Sequence, residues 1–373
     1  MNKFCPAPWT TISTDNNGSI RPCCRYKQYN EQTEYKMPFM YEGDINDLYN
    51  GDQMKALRQA FLDGKQPKEC EICWNEENVG VYSFREKYID RNYEYNLDNP
   101  TPQILDLKLS NVCNLKCRMC GPWASSLIAK EQGVQEDYWT ANKILGTDQE
   151  ETFFNDWLPN IKELELTGGE PFFSNENKKL LEKIIDSGYA KNIRLLLTTN
   201  GMFYIPSLME KIKKFKKVQI ALSVDDMGSR LEYARKNSKW ETIKNNIITM
   251  VNNYIVPEKF EIGIYRTVNN FNIFYLEELD NFATENRVYV ANGILHDPSE
   301  LSIRNLPKRV KEIIYKKYSR LNHNKYDYIL HFMQEDIIDN QNFIASTRVK
   351  NLDKIRNESF QSVFPEWNNI LND

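Results

Sequence analysis

The chain has 373 residues, of which 41% are hydrophobic and 27% charged, enough for two domains or one large domain with an appendage. Its formal net charge of −4 argues against an electrostatic nucleic-acid binder, which normally carries a basic excess. No run of about 18 apolar residues is present, and Cys5, Pro6 and Pro8 arrive before any apolar h-region could form. Neither a membrane span nor a secretory leader is therefore expected, and the chain reads as cytoplasmic.

Residues 1 to about 95 are turn-rich, with one clear helical stretch, Met54 to Leu62, that places Leu57, Ala60 and Phe61 on one face. So few apolar runs make a weak folder unless a metal staples the segment. The polar stretch from Asn92 to Pro102 reads as a linker. Short apolar strands then alternate with amphipathic helices. Strands are expected at Ile104–Leu109, Glu163–Leu166, Ile193–Thr198, Val218–Ser223, Phe260–Tyr265 and Val288–Ile294. Helices are expected between them, at Asn177–Ser187, Pro206–Lys214, Trp240–Val251 and Phe274–Thr284. This alternation implies an α/β fold with a parallel sheet, whose ligands gather at the carboxyl ends of the strands. Beyond about residue 300 only helices are expected, at Lys308–Arg320, Tyr326–Glu335 and near Phe364–Leu371.

All eight cysteines fall in the first third: Cys5, Cys23, Cys24, Cys70, Cys73, Cys113, Cys117 and Cys120. Cysteines grouped in this way, without a secretory leader, more often bind metal than form disulfides. The segment LKLSNVCNLKCRMCGPW gives C-x3-C-x2-C directly after the first expected barrel strand. Structural zinc usually takes four ligands, so three thiolates on one loop with no close fourth fit zinc poorly. They fit a four-iron cluster with one iron left open to a chelating ligand. Near the N-terminus, Cys5 and Cys23 flank Gly18 as C-x12-G-x4-C, and Cys70 and Cys73 follow as C-x2-C. That set fits a zinc ribbon or an iron–sulfur cluster equally, with Cys24 to spare.

Polar residues sit at the ends of the next strands: Gly168, Gly169 and Glu170, then Thr199, Asn200 and Gly201, then Ser223, Asp225 and Asp226. They suit ligand hydroxyls or amines, and equally the capping of the next helix. Lys211, Lys213, Lys214, Lys216 and Lys217 read as a solvated helix end. His323 and His331 read as surface or packing residues; His296, beside Asp297, follows the last strand and is a loop residue or a substrate contact. Trp9, Trp74 and Trp123 lie near the cysteines and would shield them from water.

The triplet Cys113, Cys117 and Cys120 resembles the cluster loop of the radical S-adenosylmethionine (SAM) superfamily. The resemblance covers about residues 104 to 295 and implies a partial (β/α)6 TIM-like barrel. In that family the open iron chelates SAM, the reduced cluster cleaves it, and the 5′-deoxyadenosyl radical abstracts hydrogen from substrate. LTGGEPFF resembles the segment that holds the SAM amino group, implying roles for Gly168, Gly169 and Glu170. TTNG and LSVDD resemble ribose-contacting segments, implying Asn200, Ser223 and Asp225; Arg235 matches the residue that pairs with the SAM carboxylate. Ile262, Gly263 and Ile264 match by position a strand that lines the adenine. Met119 replaces the aromatic residue often found between the last two cysteines.

The N-terminal set, with CPAPWTTI and LRQAFLDGKQPKECEICWNEENVGVYSFR, resembles SPASM or twitch auxiliary-cluster domains, here ahead of the core rather than after it. It implies that Cys5, Cys23, Cys70 and Cys73 hold an auxiliary four-iron cluster, with Cys24 able to replace Cys23. The implied organisation is an auxiliary domain over residues 1–95, a radical SAM core over 96–300 and a helical extension over 301–373. The implied cofactors are two four-iron, four-sulfur clusters and SAM. The expected partners are a peptide or small-molecule substrate and an electron donor such as flavodoxin or ferredoxin. The competing readings are a zinc-stapled scaffold without catalysis, and a mutase that regenerates SAM.

Overall fold

The computed structural model describes residues 3–28, 33–78, 80, 82–134, 143–254, 258–321, 324–334, 347–365, 367 and 370. Its strands are β1 (Thr11–Thr14), β2 (Ile20–Arg21), β3 (Ile104–Lys108), β4 (Lys116–Cys117), β5 (Glu163–Thr167), β6 (Arg194–Thr199), β7 (Lys217–Leu222), β8 (Arg235–Lys236), β9 (Phe260–Val268) and β10 (Tyr289–Ile294). Eight of them form one sheet in the order β10-β9-β7-β6-β5-β3-β1-β2. Every pairing in it is parallel except the β1–β2 hairpin.

The six expected barrel strands are all present, and β9 runs past its expected end at Tyr265 to Val268. From β3 to β10 each strand of the sheet lies beside its predecessor in sequence. Right-handed crossovers put the connecting helices on one face, and the sheet curls into a partial barrel.

Side-chain alternation sets the two faces of this sheet. On β5, Leu164 and Leu166 are buried while Glu163, Glu165 and Thr167 point the other way. On β6, Leu195 and Leu197 are buried, and Arg194, Leu196 and Thr198 take the opposite face. The apolar set packs against Leu180, Leu181 and Ile184 of the helix Asn175–Asp186 and against Ile243, Ile247 and Met250 of Trp240–Tyr254. Each fully buried Leu or Ile contributes about 1.5–3 kcal/mol. The inner face is left polar, which is where a ligand belongs.

The N-terminal region continues the sheet. β1 pairs with β3 from Thr11 opposite Ile104 to Ser13 opposite Asp106. The expected linker carries no regular structure between the helix Phe84–Asp90 and β3. At the other end, Lys308–Tyr318 and Asp327–Gln334 build a second apolar cluster with Phe271, Phe360, Phe364 and Trp367. The expected amphipathic stretch near Phe364–Leu371 lies partly outside the described residues, and a short helix at Phe360–Val363 leads into it. An unexpected helix occupies Thr347–Arg356. The expected solvated helix end is borne out for Lys211, in the last turn of Pro206–Ile212, and for Lys213, Lys214 and Lys216 just beyond it, all exposed; Lys217 is half-buried and opens β7. His331 is exposed on its helix, and His323 lies outside the described residues.

Candidate cluster and cofactor sites

The cysteine loop leaves β3 at the carboxyl edge of the sheet and is fastened on several sides. Asn111 Nδ2 donates to Pro122 O at 2.9 Å, Ser126 N to Asn111 O at 2.7 Å, and Ser125 Oγ to Leu115 O at 2.6 Å. The short strand β4 pairs antiparallel with β8, with Cys117 opposite Arg235. This pairing brings the Arg235 guanidinium to 3.9 Å from Cys117 Sγ. Arg235 Nε also donates to Asp225 Oδ2 at 2.8 Å, and both residues are buried. Burial alone would lower the guanidinium's pKa, but Asp225 and Cys117 outweigh it and hold the charge firmly. Asp225 in turn accepts from Thr267 N at 2.8 Å, so it positions Arg235 from behind and does not line the cavity itself.

Gly168 and Gly169 cross the top of β5 with φ of 74° and 54°, the left-handed region that glycine tolerates best. A Cβ on Gly169 would sit 2.3 Å from Val112 O, so the close approach to the cysteine loop also demands glycine. Glu170, buried, accepts from Thr199 Oγ1 at 2.7 Å, Asn200 N at 2.7 Å and Phe172 N at 3.0 Å. Burial pushes its carboxyl up, and the Asn200 and Thr199 hydrogen bonds pull against that. Asn200 Nδ2 donates to Asn114 Oδ1 at 2.8 Å, joining the β6 turn to the cysteine loop.

These elements enclose one cavity of about 400 Å³, lined by Cys113, Cys117, Cys120, Gly168, Gly169, Glu170, Asn200, Ser223 and Arg235. Met119 and Trp123 line it as well. Ile262 and Ile264 do not; they are buried in the core behind the sheet, and from β9 it is Thr267 that reaches the cavity. Gly263 faces the Tyr289 ring of β10, where a Cβ would come within 2.2 Å of it.

The sequence reading missed Asp15 and Asn16, which the β1–β2 turn carries into the same cavity. Asn16 is 1% exposed; its Nδ2 donates to Trp123 O, and its Oδ1 has no partner among the described residues. A polar residue in a turn is too common for sequence alone to single it out.

Cys5, Cys23, Cys70 and Cys73 line a second, small pocket, walled by Tyr26, Phe61, Trp74 and Tyr88. Burial pushes the Cys5 thiol up to about 12 and raises Cys23 and Cys70 as well. In the metal-free chain these thiols are protonated, so metal binding must displace protons. Cys24 turns elsewhere. Burial and then the charge of Asp106 push its thiol up to about 12, with Lys108 and Glu165 also acting on it. Trp9 lines neither pocket and stacks instead on Phe4, 5.1 Å between ring centroids.

Both donor sets fit iron–sulfur clusters: three thiols at one open cavity, and four thiols around one enclosed pocket. Among the described residues no three His, Cys, Asp or Glu side chains converge on a point suited to a single metal ion. A cubane takes one thiolate at each iron corner and needs no such convergence.

A partial parallel barrel with a three-thiol loop at its carboxyl edge, preceded by a four-thiol pocket, defines a cysteine-ligated cofactor protein of the barrel class. The radical SAM superfamily model matches residues 107–271, and the SPASM model, an iron–sulfur cluster-binding domain, matches residues 5–74. The chain belongs to the radical SAM superfamily and carries an SPASM domain ahead of its barrel. These domains imply four-iron, four-sulfur clusters and SAM as cofactors.

No curated protein matches the chain. Among solved structures it is similar to native anSMEcpe with bound AdoMet, at 18% identity and a TM-score of 0.39, over 51% of this chain and 50% of that one. It is also similar to Streptococcus suis SuiB bound to S-adenosylmethionine, at 17% identity and a TM-score of 0.39, over 75% and 63%. The same protein bound to precursor peptide SuiA gives 18% identity and a TM-score of 0.38, over 72% and 60%. The chain thus spans about half to three fifths of the length of these proteins. Among the described residues no helix is long and apolar enough to cross a membrane.

Proposed function

We propose that the chain is a radical SAM oxidoreductase acting on a peptide or small-molecule substrate, with a second cluster in electron transfer. The observation that carries this reading is the convergence of Cys113, Cys117 and Cys120 with Gly168–Glu170, Asn200, Ser223 and Arg235 on one cavity. Cys113, Cys117 and Cys120 would hold the cluster with the open iron; Cys5, Cys23, Cys70 and Cys73 would hold the auxiliary one. Cys23 is preferred to Cys24 because it lines the four-thiol pocket and Cys24 does not. Held there, the cluster and SAM would supply one-electron radical chemistry for hydrogen abstraction from substrate.

The chain's own residues bind and orient. Arg235, fixed by Asp225, offers a buried cation beside Cys117 for a carboxylate. Glu170 offers an acceptor for an ammonium group while anchoring the turns after β5 and β6. Ser223, lining the cavity at the end of β7, offers a hydroxyl to the ribose. Electrons would come from a small donor such as flavodoxin or ferredoxin.

The test is anaerobic reconstitution, iron analysis and incubation with SAM and dithionite. Wild type should bind about eight irons per chain and release 5′-deoxyadenosine and methionine. With Cys113, Cys117 and Cys120 all changed to alanine, iron should fall to about four and cleavage should vanish. A colourless, zinc-containing protein, or a cluster-replete one that leaves SAM intact, would refute the reading.

A further inference from the structure

The turn between β1 and β2 belongs to the N-terminal segment, yet it carries Asp15 and Asn16 into the cysteine-loop cavity. Because β1 lies parallel to β3, with Ser13 opposite Asp106, the turn leaves the sheet at the same carboxyl edge as the cysteine loop. It is tightly closed. Asp15 N donates to Ser19 O at 2.9 Å, Gly18 N to Asp15 O at 2.9 Å and Met40 N to Gly18 O at 2.7 Å. The Asp15 carboxylate lies 2.9 Å from Arg21 Nη2. An asparagine at the tip of such a turn ordinarily points into water. Asn16 is buried instead.

Its two amide atoms have different fates. Nδ2 donates to Trp123 O, three residues past Cys120. A backbone carbonyl can only accept, so this bond fixes the orientation of the amide and leaves Oδ1 at the other end. Oδ1 is buried and has no hydrogen-bond partner among the described residues. A Cβ on Gly168 would stand 2.6 Å from it and 2.7 Å from Lys108 Cβ, so the oxygen lies against the backbone of the turn that leads into Glu170. Lys108 gives its Nζ to Thr14 O at 3.1 Å and Asp106 Oδ2 at 3.4 Å rather than to this oxygen. Burying a carbonyl oxygen without a partner is unfavourable, and at the wall of a binding cavity a bound donor would relieve it. Glu170 alone does not suffice for an ammonium group. Its Oε1 already accepts from Thr199 Oγ1 and Phe172 N, and its Oε2 from Asn200 N. A carboxylate has about four lone-pair sites, which leaves about one, whereas an ammonium brings about three N–H donors.

We propose that Asn16 is a binding residue of this cavity, its Oδ1 accepting a hydrogen bond from the amino group of SAM. The proposal rests on the radical SAM reading and adds to it a residue from outside the barrel, so that the SPASM domain itself takes part in holding SAM. One end of the side chain ties the turn to the cysteine loop, and the other holds the ligand.

Calorimetric titration of the cluster-loaded protein, without reductant, with SAM and with its des-amino analogue tests the proposal. Wild type should bind SAM more tightly than the analogue. In Asn16→Leu, close in volume and without polar atoms, that preference should fall about ten-fold or more, because a hydrogen bond from a charged donor is lost from SAM alone. A merely structural role, through the bond to Trp123, would weaken both ligands alike and leave the preference unchanged. Iron content and circular dichroism show whether the variant is loaded and folded; Asn16→Ala is read in the same way if the leucine variant loses iron. Equal affinity of wild type for the two ligands, or an unchanged preference in a folded, cluster-loaded variant, overturns the proposal and leaves the radical reading standing. A cluster-loaded wild type that binds neither ligand sinks the radical reading and this proposal with it.

Discussion

Glu165 shows how far one side chain departs from what its sequence neighbourhood suggests. It lies on the inner face of β5, opposite Asp106 of β3. Burial first, and then the Asp106 charge, push its carboxyl up to about 8. A carboxyl raised in the fold holds its proton more tightly there than in the unfolded chain. Its contribution to stability is therefore full below the ordinary value of 4.5 and is lost as pH rises towards about 8. Glu165→Gln carries no charge at any pH and should remove that loss. The variant should match wild type near pH 4 and exceed it by about 5 kcal/mol at pH 9, read from anaerobic urea unfolding. Parallel stability curves across that range would disprove the assignment. At this scale the sequence was most legible where chemistry demands a residue type at a fixed spacing, as with the cysteine triplet. It was silent on Glu165 and Asn16 and left Cys24 open against Cys23, because the surroundings of all three come from strands and turns distant in the chain.

Between residue and fold, the cysteine loop is held by elements far from it in sequence. Arg118, 1% exposed, donates to Asp353 at 2.6 Å and Glu358 at 2.7 Å. Its guanidinium also lies 3.6 Å from the Tyr233 ring centroid. Arg348 donates to Arg118 O at 2.8 Å and to Cys120 O at 2.7 Å, so the helix Thr347–Arg356 straps the loop directly. Asp353→Asn with Glu358→Gln would leave the buried Arg118 charge without its carboxylates. The expected cost is about 3–5 kcal/mol, measured as a lower denaturation midpoint, with the iron bound at the loop the first to be lost. An unchanged midpoint and full iron content would show that the strap does not hold the loop. The barrel helices were legible because each buries an apolar stripe. This one was not, because Val349 is its one buried residue and its contacts run through Arg348, Asp353 and Arg356. A search for apolar periodicity passes over a helix that works through charge.

On the scale of the whole molecule, the sheet runs through the boundary that composition suggests near residue 95. β1 forms the flank of β3, and the β1–β2 turn carries Asn16 into the cavity at the cysteine loop. Lower down, Arg91 grips Glu163 through hydrogen bonds of 2.8 and 2.9 Å, and Tyr93 adds one of 2.7 Å. Composition marks the N-terminal segment as weak in apolar runs and so suggests a separable, metal-stapled unit. It cannot show that the strand Thr11–Thr14 finds its partner 93 residues later, as in the Ser13–Asp106 hydrogen bond of 2.7 Å. Removing residues 1–95 would expose the β3 edge, an invitation to aggregation, and leave Glu163 partly buried without Arg91 and Tyr93. Residues 96–373 expressed alone should therefore aggregate, or fail to retain iron at Cys113, Cys117 and Cys120. The intact cluster-loaded chain should unfold in one calorimetric transition for barrel and N-terminal segment together. Two well-separated transitions, or a soluble 96–373 fragment that cleaves SAM, would show instead that β1 is an ornament on a self-sufficient barrel. One transition would mean that the four-thiol pocket is built on the same rigid body as the cysteine loop, which fixes the distance between the two sites.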